Sequence, residues 1–358
     1  MCSDKNIIMV KGEIKKRQSN YELLRMVAML AIVFYHFCCH PRGYFTHSGL
    51  YIADTIDSFL LIHVTLFLLI SGYFSIRLRW DNITKLLLRC IVFGVPLYLL
   101  GVRMGYVSFS YKELFFRFIP FVHNAWWFLG CYIQLMLLSP LLNHVAETVN
   151  QKHYKLFLIL LSFMALGLGG VFHDAIDNNG MSLFHFSYIY LIGRYLRLYP
   201  IDIKRITRKK LFVIYLICSL LTLPIVIVSF YFTVPFQLYC SPFIIIGAVA
   251  IFLLFGTFHF ENKWVDKLAS SSLSVYMIHD DPFYSHVVLI TFAGILYNWL
   301  GNGYFLVLPL CVVLVYLFGF LIDNLIATPI VKALFIVLNK FYQHILIPIK
   351  ERFASKML

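Results

Sequence analysis

Of the 358 residues, 61% are hydrophobic and 13% are charged, about half the charged share of an ordinary soluble domain, so water is not the main solvent of this chain. The formal charge of +13 sits mostly on Lys and Arg flanking apolar runs, which argues for membrane topology and against nucleic acid as a partner. The eight cysteines lie mostly inside apolar stretches without paired ligand spacing, so neither a disulfide framework nor a metal site is expected.

A basic segment, residues 1–20, opens the chain, and ten apolar segments follow, each near the roughly 20 residues that span a bilayer. They cover residues 21–39, 52–74, 86–106, 125–145, 154–172, 183–199, 211–232, 236–258, 268–296 and 304–325, the sixth short and the ninth broken by Pro282. The first carries Arg25 and His36 and has no small-residue cleavage signature, so it reads as a retained helix rather than a signal peptide. With the N-terminus inside, 24 Lys and Arg fall on the cytoplasmic side against 4 outside. The predicted fold is therefore all-α: a polytopic membrane helix bundle of about ten transmembrane helices, N-in and C-in, with one membrane domain over residues 21–325. Residues 326–358 intersperse apolar residues with Lys332, Lys340 and Lys350, the pattern of an amphipathic tail on the cytoplasmic face.

Ionisable side chains inside such segments cost about 3 kcal/mol or more on insertion scales, so they face cavities or partners. Arg25 and His36 are eleven residues apart, close to three turns, which places both on one face about 16 Å apart along the axis. They either serve one groove, or Arg25 snorkels to the headgroups while His36 is a satisfied interfacial imidazole. His279, Asp280 and Asp281 precede Pro282 at mid-membrane depth, which calls for a hydrated cavity or an early helix end. His63 is a cavity-lining candidate, and Gly72 in the nearby Ser-Gly pair reads as a close helix contact. His123, Trp126 and Trp127 at an outer mouth form either an aromatic belt or a platform for a sugar ring. Arg77, Arg79, Lys85 and Arg89 either grip a phosphorylated ligand or simply follow the positive-inside rule, Arg89 standing a turn inside its helix. No Gly-rich phosphate loop and no HExxH occurs.

The segments SNYELLRMVAMLAIVFYHF, LFLLISGYF, WWFLGCYIQLMLLSPLL, FSYIYLIGRYLR and SSSLSVYMIHDDP together resemble the integral membrane acyltransferases of the acyltransferase-3 superfamily, over nearly the whole chain. Most specific are the ten residues between Arg25 and His36 and the VYMIH run. The resemblance implies ten helices and transfer of an acyl group, usually acetyl, from acyl-CoA at the cytoplasmic face to a hydroxyl of a bacterial surface polysaccharide or its lipid-linked precursor. It makes Arg25 and His36 essential, matches His279, and puts Asp280 where relatives often carry Glu. Arg77 and Arg89, with Arg25, would receive the donor's phosphates. Acyl-CoA is implied as co-substrate, with no bound cofactor and no fused extracellular transferase domain after the tenth helix. The rival expectation is a glycan exporter or proton-coupled transporter in which His36, His279 and the Asp pair relay protons.

Overall fold

The computed structural model describes residues 18–119, 126–169, 180–201, 206–231 and 238–343, and among these every regular element is helical. Polar residues at the loop edges start the helices by accepting orphan backbone N–H groups. Thr46 caps α2 (His47–Leu60), Asn150 caps α7 (Gln151–Ser162), Ser182 caps α8 (Leu183–Leu198) and Asn262 caps α11 (Lys263–Ser270). Pro242 opens α10 (Pro242–Gly256), where its missing N–H costs nothing.

Among the described residues, six stretches are long and apolar enough to cross a membrane: Ser19–Cys39, His47–Phe74, Trp80–Arg103, Trp127–Thr148, Arg208–Tyr231 and Val287–Phe341. The last, α14 (Tyr304–Ile322) at its centre, turns Leu306, Leu310, Leu314 and Phe318 outward, a surface that lipid rather than water accommodates. The protein is a multi-pass membrane protein. Two expected spans are interrupted. The second breaks at Leu61 and Ile62 into α2 and α3 (His63–Phe74), and the ninth becomes α11, α12 (Ser272–His279), a π-type segment and α13 (Ile290–Leu300). No break separates the tenth span from the tail, because α14 runs through a π-type turn, Asp323–Ala327, into α15 (Thr328–Phe341). That helix packs along α4 (Trp80–Arg103), with the Lys85 ammonium 4.3 Å from the Phe335 ring centre.

α1 (Ser19–Cys39) stands between two hydrophobic cores. Tyr21, Leu24 and Ala28 belong to the core built on α3, α8 and α10; Ile32, Val33 and Phe37 belong to the one built on α4, α12 and α14. Phe67 and Phe128 pack against both cores, and the polar face of α1 runs down the seam between them.

Candidate active site

Three adjoining cavities follow that seam. The first, about 430 Å³, is lined by Arg25, Arg77, Lys85 and Arg89. A middle cavity of about 310 Å³ shares Arg25, Ser71, Tyr132 and Leu273 with it. The third, about 330 Å³, shares Ile32, Phe128 and Tyr276 with the middle one and opens onto His36, His63, Trp127 and Asp280. Arg25 and His36 thus reach different ends of one series of cavities.

The polar end is assembled from three helix termini. His36 sits in the last turn of α1, His63 is the first residue of α3, and Asp280 follows directly on the end of α12. Both interruptions of the chain therefore fall at the cavity wall, where freed backbone groups find polar surroundings that lipid would deny them. His36 Nδ1 faces Asp280 Oδ1 at 3.5 Å, too long for a hydrogen bond, and has no hydrogen-bond partner. The His279 ring centre lies 5.1 Å from that of His36, and the His40 ring centre 4.6 Å from it. His279 Nδ1 meets the Val275 carbonyl oxygen at 2.7 Å. A carbonyl only accepts, so Nδ1 carries the proton and the buried, partnerless Nε2 is the ring's open acceptor. His63 is buried with neither nitrogen hydrogen-bonded, its ring beside Tyr35 and Tyr239 at 5.3 and 5.9 Å between centres.

At the basic end Arg25 forms an ion pair with Glu22 one turn earlier, at 2.8 Å, and Arg77 is exposed. Arg89 is tied up: it donates to Asp323 and Ser274, at 2.5 and 2.7 Å, and to Thr328 at 3.1 Å. It clamps α4 to α12 and to the junction of α14 with α15, so its charge enters the cavity already balanced by Asp323.

Trp126 and Trp127 part company. Trp127 lines the third cavity against Phe128, Phe186 and Tyr239. Trp126 is buried and donates its indole N–H to the Met277 carbonyl at 3.2 Å, which corrects both the belt and the sugar-platform readings for this residue. Trp126→Phe should lower stability by about 1 kcal/mol through that lost bond, visible as an earlier thermal transition in detergent. His123 lies outside the described residues. The adjacent carboxylates also separate: Asp281 is fully buried and pairs with Arg117 at 2.6 Å, leaving Asp280 alone toward the cavity. Tyr35, His40, Tyr239 and Tyr276 join the wall without having been singled out by sequence. The signal for His40 was present, one turn beyond His36.

A family model described as an acyltransferase domain matches residues 18–324. Neither a curated protein nor a solved structure matches the chain.

Proposed function

The chain belongs to the acyltransferase-3 family of membrane acyltransferases, and from that premise we propose that it moves an acyl group, acetyl in the first instance, from cytoplasmic acyl-CoA to a hydroxyl of a surface polysaccharide or its lipid-linked precursor. In this reading the bundle crosses the membrane ten times with both termini inside, which puts the Arg25 cavity on the cytoplasmic side and the His36 cavity toward the outside. The observation that carries the reading is the series of three cavities with shared walls, since it joins a basic mouth to a histidine across the length of α1.

The donor's phosphates rest on Arg25, Arg77 and Lys85, where guanidinium and ammonium donors match phosphate oxygens. Arg89 holds the frame around them. The pantetheine arm runs through the middle cavity past Phe67, Phe128 and Tyr132 and brings the thioester to His36, about 16 Å along the helix axis from Arg25. A proton on His36 Nδ1, directed at Asp280, leaves Nε2 as the base. It takes the proton of the acceptor hydroxyl; the oxygen bonds to the acyl carbon, the carbon–sulfur bond breaks, and the thiolate leaves and is protonated. Trp127 and His63 flank the acceptor sugar. A thioester is the better acyl donor, so no further energy source enters.

The test compares ester-linked acyl groups on surface polysaccharide by NMR in cells with and without the protein. Loss of the ester at constant polymer yield supports the proposal. Reduced polymer export with unchanged acylation per sugar overturns it in favour of the exporter. Arg25→Ala should raise the apparent KM for acyl-CoA about tenfold with kcat held, the cost of one charge-assisted contact to phosphate. An unchanged KM in membrane vesicles removes Arg25 from the donor site.

A further inference from the structure

We propose that His36, His40 and Asp280 form a binding site for one divalent ion of the zinc class, and that the ion silences acyl transfer by occupying it. The sequence alone argues against a metal site; the folded chain builds one. One ligand atom from each of the three residues can be chosen so that all lie within 4.8 Å of one another, and no other group of three His, Cys, Asp or Glu among the described residues is so disposed.

Three further observations point to an ion. His36 Nδ1 and Asp280 Oδ1 face each other at 3.5 Å. That gap is too wide for a hydrogen bond, yet two ligands bound at about 2.1 Å in a tetrahedral arrangement stand about 3.4 Å apart. His36 Nδ1 has no hydrogen-bond partner, although His36 is only 9% exposed, so a lone pair or a proton goes unused in the wall of a cavity. His40 caps α1 with helical backbone angles, so it repeats His36 one turn on and projects from the same face. Its ring centre is 4.6 Å from that of His36. Two imidazoles and one carboxylate make a ligand set that zinc prefers, and the cavity of about 330 Å³ leaves the fourth position open. The buried carboxylates among the described residues each face a guanidinium: Glu22 faces Arg25, Asp54 and Asp57 face Arg42, Asp281 faces Arg117, and Asp323 faces Arg89.

The consequence for transfer rests on the proposed function. A neutral imidazole has one basic nitrogen. Once that nitrogen binds the ion the other must carry the proton, so no base remains for the acceptor hydroxyl, whichever nitrogen is used. The Asp280 carboxylate that faces His36 Nδ1 is taken up by the ion at the same time. Nothing is oxidised or reduced; the ion and the hydroxyl proton compete for one lone pair.

The experiment uses tag-free, full-length protein in lipid nanodiscs, loaded with zinc chloride, desalted and analysed for bound metal, with cobalt chloride in parallel for its visible spectrum. The expected result is close to one ion per chain and the intense visible bands of four-coordinate cobalt. His40→Gln and Asp280→Asn, each verified as monodisperse, should each weaken zinc affinity about tenfold or more. Wild-type transfer should fall as zinc is added and return with a chelator. No stoichiometric zinc, or affinity unchanged by either variant, overturns the site. Stoichiometric zinc that raises transfer overturns the inhibitory role. The metal-content arm makes no reference to acylation, so failure of the acyltransferase reading and failure of this one are told apart.

Discussion

Replacing His36 by alanine is expected to lower acyl transfer by about 10² to 10⁴, the usual worth of a general base, in a protein that still folds and inserts. His36 lines the cavity that is remote from the basic mouth, and its Nδ1 faces the Asp280 carboxylate at 3.5 Å. His279 does not replace it, because it is fully buried and does not line that cavity, its ring centre standing 5.1 Å from that of His36. Asp280→Asn should cost less than His36→Ala, since it removes the partner that orients the ring and leaves the base itself. Ester content per sugar by NMR at matched expression reads both variants. Normal acylation with His36→Ala would sink the proposed mechanism, and equal, complete loss in both would mean that Asp280 takes the proton.

The second large effect concerns folding. α3 and α8 pack closely against each other, and they do so through glycines. A Cβ on Gly193 would stand 2.5 Å from the Leu69 carbonyl oxygen and 3.0 Å from the Tyr73 backbone nitrogen, and one on Gly72 would collide with the Tyr190 carbonyl. These neighbours are backbone atoms, so no rotamer change relieves them; the helices must separate, and every contact along them loosens. Gly193→Ala should therefore cost at least the roughly 1–3 kcal/mol typical of overpacking and yield little monodisperse protein. Gly130→Ala is the control, because a Cβ there meets nothing within 4 Å. If the two variants melt alike in detergent, close approach of α3 and α8 is not what holds this part of the bundle.

Much of this was legible in the sequence, for identifiable reasons. Depth is written in hydropathy, so the apolar segments and the break near Pro282 could be marked, and helical periodicity put Arg25 and His36 on one face. Gly72 announced a close contact by its lack of a side chain. Partnership across the fold was not legible, because depth does not say which neighbour stands opposite. Asp280 and Asp281 are adjacent and equally acidic, yet only the position of Arg117 on α5 (Tyr111–Arg117) decides which of them is neutralised. Arg89 looked like a phosphate ligand for want of any sign that Asp323 would come to lie beside it. Trp126 resembled a belt residue because the carbonyl that receives its N–H belongs to a distant helix.

The polar cavity joins α1 to α12, more than two hundred residues apart in sequence. Contacts of such high sequence separation form late, because the loop between them must close before they return anything. During synthesis His36 enters the bilayer long before Asp280 has been translated, so the nascent chain holds its histidine without the carboxylate that orients it. A ribosome-bound chain stalled anywhere before α12 would be an inserted protein with no assembled centre. Catalytic competence would then be acquired in a single late step of biogenesis, when α12 docks against α1.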